Sequence, residues 1–309
     1  MSVEEELARA APSKDTLLTV GVFDGVHLGH KYLISKLVEQ ARQQDLLSGV
    51  VTFRQHPQEV LHPETKLPFL TDLDERINLL RSEGVKIIVP ISFTAESARL
   101  SARQFVKLLR KYLRMRGLVI GADFALGRNR EGNADALRAL GQEMGFSVTV
   151  VPAVILNGEV VSSTTIRKAL SKGDIEKVHR LTGRPFSLHG QVITGARRGV
   201  ALGFPTANLD VAPEQALPPD GVYATWAYID GGAYQSMTNI GHNPTFGDRK
   251  HAVEVYIVDY QGDLYGRELK IEIMERLRDE KKFSTMEELK QQMAEDVKRG
   301  KAILGSKGG

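Results

Sequence analysis

Short apolar runs alternate with amphipathic segments along the first part of the chain. Five runs are almost continuously apolar, residues 17–23, 49–53, 85–92, 118–124 and 147–156. Such runs are typical of strands that are buried on both faces of a sheet. Because helical segments separate them, we expect right-handed crossovers and a parallel sheet. The pattern predicts a doubly wound α/β domain that extends to about Leu181.

The segments between these runs have the spacing of helices. One stripe follows the i, i+3, i+4, i+7, i+8 pattern that buries one helix face. Its members are Phe105, Leu108, Leu109, Tyr112 and Leu113. Ser101 and Gln104 precede this stripe with the spacing of a capping box, which predicts where the helix begins. A similar stripe after the first strand comprises Leu33, Leu37, Val38 and Ala41.

The periodicity changes to two between Pro185 and Arg278. Residues 269–273 alternate between apolar and polar, as strands with one solvated face do. Residues 222–229 are rich in aromatic and β-branched side chains and end at Asp230-Gly231-Gly232, which is a hairpin signal. This pattern predicts a second domain that is a small antiparallel β-barrel.

A helical stripe returns near the end of the chain. Ser284 and Glu287 have the spacing of a second capping box. The face that follows is formed by Leu289, Met293 and Val297. We therefore predict a C-terminal helix after the barrel, and we divide the chain into domains 1–182 and 183–309.

The composition limits which kinds of partner the chain can bind and in which cellular compartment we expect it. Lysine and arginine number 41 and aspartate and glutamate 38, so the net charge of +3 gives no case for nucleic-acid binding. The chain has no cysteine, which excludes disulfides, thiol catalysis and cysteine-ligated metals. No stretch approaches the roughly 20 apolar residues of a membrane span, and the N-terminus lacks the pattern of a signal peptide. We expect a cytoplasmic protein that binds neither nucleic acid nor a membrane.

Residues 21–30 combine glycines with two histidines between the first predicted strand and helix, where open α/β sheets bind ligands. Gly25 and Gly29 allow backbone to approach a ligand, and the helix N-terminus offers N–H groups to an anion. His27 and His30 are three residues apart, so as imidazolium donors both can stabilise one phosphoryl group and leaving pyrophosphate. The alternatives are a glycine turn with incidental histidines and a zinc site, although further metal ligands are not close in sequence.

Two more segments of the first domain carry polar groups. Each group can be interpreted either as a ligand contact or as an ordinary structural feature. Residues 162–167 place hydroxyls at a predicted helix start, and Arg167 one turn later can fork onto a phosphate. Asp123 ends a predicted strand at the same sheet edge. An ordinary N-cap beside a solvated arginine, and a turn aspartate, explain these residues equally well.

The second domain contains a glycine-rich loop that leads into a predicted strand, residues 199–209. Glycine N–H groups can cradle phosphates, while Thr206 and Asn208 share one strand face. Their neutral oxygens suit Mg²⁺, which takes few protein ligands when it binds ATP phosphates. Glu254 lies within another strand and is either a base for a substrate hydroxyl or a carboxylate on the wet face of an edge strand. A proline turn before an ordinary strand is the plain interpretation of the loop.

The motif from Phe23 to His30 resembles the HxGH signature of nucleotidyltransferases. Residues 52–57, 121–127 and 162–167 are similar to the TFxPHP, GxDFxFG and ISSTxIR motifs of bacterial riboflavin kinase/FMN adenylyltransferases (FAD synthetases). Gln55 stands in place of a proline and Leu126 in place of an aromatic residue. The resemblance implies that His27 and His30 are catalytic. It implies nucleotide contacts at Gly21, Phe23, Asp24, Gly25, Gly29, Ser163, Thr164 and Arg167, and flavin contacts at His56, Pro57, Asp123 and Phe124.

The second domain resembles riboflavin kinase, a six-stranded antiparallel barrel, through GFPTANL at 203–209 and VEVY at 253–256. The resemblance implies ATP contacts at Gly199, Gly203 and Pro205, Mg²⁺ held by Thr206 and Asn208, and Glu254 as the base. The family often has a basic residue near Val200, whereas here Arg197 and Arg198 precede it.

Together these motifs imply that the barrel phosphorylates riboflavin to FMN and that the first domain joins AMP to FMN, which yields FAD and pyrophosphate. Riboflavin, FMN and ATP are then the small-molecule partners. A homo-oligomer and transient contacts with apo-flavoproteins are compatible with the resemblance.

Three alternatives stay open at this point. In the first, only the kinase is active, given the departures at Gln55 and Leu126. In the second, the chain is a carrier that delivers flavin to apo-flavoproteins. In the third, it is a generic cytidylyltransferase. The second domain speaks against the last of these. The presence of Glu254 favours an enzyme, because binding alone needs no base.

Overall fold

The computed structural model describes residues 2–195, 203–242 and 251–307. The predicted ATP contact Gly199 and the neighbouring Arg197 and Arg198 lie outside these residues. The chain divides into two compact units, Met1–Ser163 and Thr164–Gly309.

The first unit is built on a five-stranded sheet in which all strands are parallel. Its elements are α1 (Val3–Arg9), β1 (Thr16–Val20), α2 (Leu28–Gln43), β2 (Leu47–Phe53), α3 (Pro57–Leu61), α4 (Leu73–Ser82), β3 (Ile87–Ile91), α5 (Ala102–Leu113), β4 (Met115–Gly121), α6 (Ala134–Met144) and β5 (Ser147–Val151). The strand order is β3-β2-β1-β4-β5, so the order reverses at β1. The predicted doubly wound fold is confirmed, and the reversal places a crevice at the carboxyl ends of β1 and β4.

Apolar side chains cover both faces of this sheet. Ile34 and Leu37 of α2 pack on one face with Leu80 of α4. Helices α1, α5 and α6 cover the other face, where Leu109 and Leu137 are completely buried. Burial on both sides explains why the strands are continuously apolar. The predicted capping box of α5 is confirmed, since the Gln104 N–H donates to Ser101 Oγ at 3.1 Å and the Ser101 N–H to Gln104 Oε1 at 2.8 Å.

Three predicted strands are longer than the observed ones, and one of them, the run 85–92, is reduced to Ile87–Ile91 in β3. The first ends at Val20 instead of Phe23, and Phe23 itself has a left-handed φ of 54°, which a strand does not accommodate. The last predicted run, 147–156, is divided after Val151 by Pro152, which has no N–H to donate to a neighbouring strand. A separate short hairpin follows, formed by β6 (Ile155–Leu156) and β7 (Glu159–Val160).

The second unit is a closed antiparallel barrel with a long C-terminal helix. Helix α7 (Ser163–Leu170) begins at the division between the units; the elements after it are α8 (Ile175–Thr182), β8 (Phe186–Ile193), β9 (Thr206–Asp210), β10 (Gly221–Ile229), β11 (Gly232–His242), β12 (His251–Ile257), β13 (Glu268–Asp279) and α9 (Met286–Lys307). The strand order around the barrel is β10-β11-β12-β9-β8-β13. The predicted barrel and C-terminal helix are confirmed.

The predicted hairpin joins β10 to β11 through Asp230 and Gly231, whose φ angles are 48° and 82°. Positive φ at both positions is the geometry of a type I′ turn, which matches the twist of the two strands. The predicted alternation in β13 is also confirmed, since Leu269, Ile271 and Ile273 are buried while the residues between them are partly exposed.

The two faces of the barrel wall are chemically different. Met237 of β11 lies on the outer face, where Gly300 of α9 approaches it so closely that a Cβ there would be 2.1 Å from Met237 Sδ. The neighbouring residues on β11 face inwards, and Ser236 and Thr238 share hydrogen bonds of 2.7 and 2.8 Å with Thr225 of β10. These three hydroxyls are completely buried and satisfy one another.

The second predicted capping box is wrong by one residue. The Glu288 N–H donates to Thr285 Oγ1 at 3.2 Å, and the Ser284 N–H donates to the Glu288 carboxylate at 3.0 Å. Thr285 and Glu288 have the same spacing as the predicted pair, Ser284 and Glu287, and the helix begins one residue later, at Met286.

None of the helices in the described residues is long and apolar enough to cross a membrane.

Candidate active sites of the two units

The loop between β1 and α2 has a strained and buried backbone. Phe23, Gly25 and Val26 have φ angles of 54°, 79° and 34°. A positive φ is rare for a β-branched residue such as Val26, and such strain costs about 1–3 kcal/mol per residue. It persists only where the surroundings hold it. The side chains of Phe23 and Val26 are both buried, and the Phe23 ring packs beside Gly21.

Asp24 holds this loop in its shape. Its side chain is 1% exposed, and its carboxylate accepts hydrogen bonds from the N–H groups of Leu70 and Thr71 at 2.9 to 3.1 Å. The Gly25 N–H donates to Thr71 Oγ1 at 3.1 Å. The Asp24 carboxylate is thus engaged by the chain, and the loop is tied to Leu70 and Thr71.

His27 and His30 lie where the sequence predicts them, at the start of α2. His27 is the N-cap, and its Nδ1 accepts the His30 N–H at 3.2 Å, so its Nδ1 carries no proton. The two rings stack with centroids 3.6 Å apart, and the Phe23 ring lies 5.1 Å from His30. Gly29 allows this arrangement, because a Cβ there would lie 3.1 Å from the His27 ring and from the Val161 carbonyl.

His30 differs from the expectation in its charge. Burial lowers its pKa well below the usual 6.5, and the neighbouring His27 ring and the positive charge of Arg76 lower it further. His30 is therefore neutral at neutral pH, and the expected imidazolium is corrected to an imidazole. Its Nδ1 is buried and has no hydrogen-bond partner among the described residues.

Helix α7 begins at Ser163, as the hydroxyl-rich segment predicts. Ser163 Oγ donates to the Asp24 carbonyl at 2.9 Å, which brings the first residue of the helix to the glycine loop. Thr164 is exposed, and Arg167 is half-buried one turn later on the same helix face as Ser163.

The predicted flavin segments follow β2 and β4, so they lie at the sheet edge that carries the glycine loop. His56 caps α3, where its Nδ1 accepts the Gln58 N–H at 3.3 Å, and Pro57 is the first helical residue. Gln55 donates its Nε2–H to the Phe93 carbonyl at 2.7 Å, so the residue that replaces the proline anchors this segment.

Asp123 is exposed just beyond β4, and Phe124 packs partly against the core beneath it. Leu126, which replaces an aromatic residue, is 8% exposed in the same core. Its backbone pairs with Gly132 in both directions, at 3.1 and 2.9 Å. The substitution therefore fills a packed position without opening the loop.

In the second unit, β12 pairs with β11 on one side and β9 on the other. Glu254 lies directly opposite Asn208 of β9 and directly opposite Asn239 of β11. Its strand is therefore not an edge strand, and the interpretation of Glu254 as an edge carboxylate is wrong. Glu254 is half-buried, on the opposite strand face from the buried Val253 and Val255.

Thr206 lies opposite Tyr256, so it shares the outer barrel face with Asn208 and Glu254. Met237, also opposite Tyr256, identifies this face as the outer one. The two predicted ATP contacts before β9 come just before Thr206 in the chain. Gly203 and Pro205 are exposed, and Phe204 between them packs edge-on against Tyr256 at 5.2 Å.

The donor set fits a magnesium ion that binds together with nucleotide phosphates. Among the described residues, no group of three or more histidine or acidic side chains could hold a metal ion by itself. Thr206 and Asn208 offer two neutral oxygens on one face, and Mg²⁺ prefers such oxygen ligands when phosphates and water complete its shell.

The sequence analysis does not identify two residues that border Glu254 and Asn208. Asn239 borders Glu254, but its position depends on the pairing of β11 with β12, which the sequence pattern does not give. Gly195 lies against Asn208, and a Cβ there would be only 1.9 Å from Asn208 Nδ2. The glycine itself was the available signal, since glycine often marks a close approach of backbone.

The fold and the two polar clusters define a two-domain, nucleotide-dependent transferase. The family models agree, because residues 10–165 match FAD synthetase and residues 182–304 match riboflavin kinase. The chain belongs to the family of bifunctional riboflavin kinase/FMN adenylyltransferases.

Curated relatives with this name span almost the whole chain. The Escherichia coli K12 protein is 34% identical over 297 residues, which cover 96% of this chain and 95% of the relative. The Pseudomonas fluorescens protein is 37% identical and covers 92% of both chains. A crystal structure of a Streptococcus pneumoniae protein, described as a macrolide-efflux protein, superposes with a TM-score of 0.87 at 30% identity and covers 94% of this chain and 95% of that one.

Proposed function

We propose that the barrel phosphorylates riboflavin and that the first unit adenylylates the resulting FMN, with domains 1–182 and 183–309. The observation that carries the proposal is the direct pairing of Glu254 with Asn208 across β12 and β9. This pairing places a carboxylate that can accept a proton beside an amide whose oxygen can hold the metal ion that accompanies a nucleotide.

In the kinase reaction, Glu254 takes the proton of the ribityl 5′-hydroxyl as that oxygen bonds to the γ-phosphorus of ATP. The bond from the γ-phosphorus to the bridging oxygen breaks, and ADP leaves. Thr206 and Asn208 would hold Mg²⁺, which neutralises charge on the phosphates when it is bound. Gly199, Gly203 and Pro205 are the proposed ATP contacts next to them.

In the adenylyl transfer, a phosphate oxygen of FMN attacks the α-phosphorus of a second ATP, and pyrophosphate leaves. FMN brings its own nucleophile, so the enzyme needs to align it and stabilise the developing charge. We assign that charge stabilisation to His27 and His30. The other proposed nucleotide contacts are Gly21, Phe23, Asp24, Gly25, Gly29, Ser163, Thr164 and Arg167, and the proposed flavin contacts are His56, Pro57, Asp123 and Phe124.

The test follows riboflavin, FMN and FAD by chromatography after the full chain is mixed with riboflavin, ATP and Mg²⁺. FMN should appear first and FAD second. Glu254→Gln should slow FMN formation about 10²–10⁴-fold, the usual contribution of a general base, and spare FAD formation from supplied FMN. His30→Ala should slow FAD formation about 10²–10³-fold and spare FMN formation. The exposed Glu268 and His179 supply matched control variants, Glu268→Gln and His179→Ala.

The outcomes separate the alternatives. FMN without FAD, with oxidised and reduced flavin both tried, would mean that only the kinase is active. Bound flavin without turnover would favour a carrier. If either variant abolished both reactions in a folded protein, the two-site assignment would be wrong.

The lack of cysteine suits a reducing compartment, and we place the enzyme in the cytoplasm. Self-association of the chain and transient contacts with apo-flavoproteins are tested by light scattering and by flavin transfer to an apo-flavoprotein.

A further inference from the structure

An arginine is completely buried on α4 in the first unit. Arg76 has 0% of its surface exposed. It occupies the helix face that also carries Leu80 one turn later, which is likewise completely buried. A charged side chain is almost never fully buried unless partners compensate its charge, so its surroundings must supply acceptors.

The guanidinium of Arg76 donates to backbone carbonyls of three separate segments. Nη1 donates to the Val22 carbonyl at 3.1 Å and to the Phe53 carbonyl at 2.8 Å. Nη2 donates to the Thr71 carbonyl at 3.4 Å. The Phe69 ring lies 4.7 Å from the guanidinium carbon, which adds a cation–π contact.

Each of these segments carries part of the proposed adenylyltransferase site. Val22 is in the loop that leads to His27, and Phe53 precedes Gln55 and His56. Thr71 belongs to the stretch whose N–H groups hold the Asp24 carboxylate. Arg76 donates to the backbone of all three segments.

We propose that Arg76 is a positioning residue for adenylyl transfer, whose guanidinium fixes the glycine–histidine loop relative to the segment that carries His56. The proposal rests on the proposed function of the first unit. Adenylyl transfer needs the FMN phosphate in line with the α-phosphorus of ATP. The distance between the segment that carries His56 and the glycine–histidine loop therefore decides the rate.

The positive charge of Arg76 has a second consequence at the same loop. It opposes protonation of His30 and adds to the effects of burial and His27 on the pKa of that residue. Removal of the charge should therefore raise the pKa of His30. This change is a readout that a purely mechanical role of Arg76 would not produce.

The two shortest hydrogen bonds converge on one nitrogen, Nη1. A lysine ammonium at that place could keep both bonds and the charge, whereas methionine keeps only the bulk. We therefore expect Arg76→Met to lower kcat for FAD formation about 10²-fold, the effect of a misplacement of about 1 Å, with smaller changes in KM. Arg76→Lys should stay within about fivefold of the wild type in kcat.

The experiment measures FAD formation from supplied FMN and ATP across pH 5–9 in the full chain. FMN formation by the barrel in the same sample reports intact protein, and Arg81→Met on the exposed face of α4 is the matched control. Arg76→Met should also move the acidic limb of the pH–rate profile to higher pH, while Arg76→Lys should leave it unchanged. NMR titration of the His30 ring checks the same shift directly.

Wild-type kcat and an unchanged acidic limb in Arg76→Met would overturn the proposal. If that variant does not fold, Arg76→Gln, which keeps an N–H donor without the charge, takes its place. A loss of at least tenfold in Arg76→Gln would support the proposal, and wild-type behaviour would overturn it. Absence of FAD formation in the wild type would instead refute the proposed function of the unit.

Discussion

Replacement of Gly195 by alanine should slow FMN formation and leave FAD formation unchanged. A Cβ at this position would lie 1.9 Å from Nδ2 and 2.5 Å from Cγ of Asn208. Ordinary contact between such atoms needs about 3.5 Å. The Asn208 amide would therefore have to retreat by about 1.5 Å from its place opposite Glu254.

A displacement of this size is large for the proposed ligand of a nucleotide-bound Mg²⁺. A shift of about 1 Å can slow a reaction about 10²-fold, which corresponds to about 3 kcal/mol of activation free energy. We expect at least this loss in kcat for FMN formation in Gly195→Ala. Asn208→Ala should lose as much, and the double variant should be no slower than Asn208→Ala alone, because both changes remove the same interaction.

The assay measures initial rates of FMN formation from riboflavin, with FAD formation from supplied FMN as the internal control. Gly305→Ala is the matched control variant, since a Cβ at Gly305 meets no atom within 4 Å. A wild-type rate in Gly195→Ala together with a slow Asn208→Ala would refute the reasoning, because Asn208 would then tolerate displacement.

Two further predictions concern the stability of the first unit. Asp24→Ala leaves two buried N–H groups without their acceptor and should lower the unfolding free energy by about 3 kcal/mol, whereas Asp24→Asn keeps one oxygen and should lose roughly half of that. Calorimetry should show a fall in Tm of roughly 6–12 °C for Asp24→Ala, and an unchanged Tm would contradict the structural role. Because the pKa of His30 lies well below 6.5 in the folded chain, the unfolded state binds the proton more readily. The unfolding free energy should therefore fall as pH drops below about 6.5, by up to about 1.4 kcal/mol per unit. Urea titrations from pH 5 to 8 would detect this slope, and its persistence in His30→Gln would assign it to other groups.

The sequence pattern predicts the two folds because burial dictates periodicity. Strands such as β1 are covered on both faces and are continuously apolar, while β13 has one partly exposed face and alternates. The glycine–histidine loop was also predictable, since it lies between a strand and a helix that are both strongly patterned. Helix boundaries depend on finer detail, as the shift from Ser284 to Thr285 illustrates, because two overlapping pairs satisfy one spacing rule.

The parts that sequence did not predict depend on contacts between distant segments. The pairing of Glu254 with Asn239 and Asn208 follows from strand register, which closure of the barrel determines. Arg76 lies on the buried face of α4 together with Leu80, but the carbonyls to which it donates come from three other segments. The charge of His30 depends on burial, which no local motif encodes.

The position of Glu254 within a closed barrel has a consequence for motion during the kinase reaction. Both edges of β12 are hydrogen-bonded to other strands, so its backbone can open only when neighbouring strands separate as well. The amide hydrogens of Val253 and Val255 should accordingly exchange with solvent at a free energy close to that of global unfolding. The Glu254 carboxylate is therefore attached to a strand whose backbone is held on both sides, and its own adjustment to substrate is limited to rotation of the side chain.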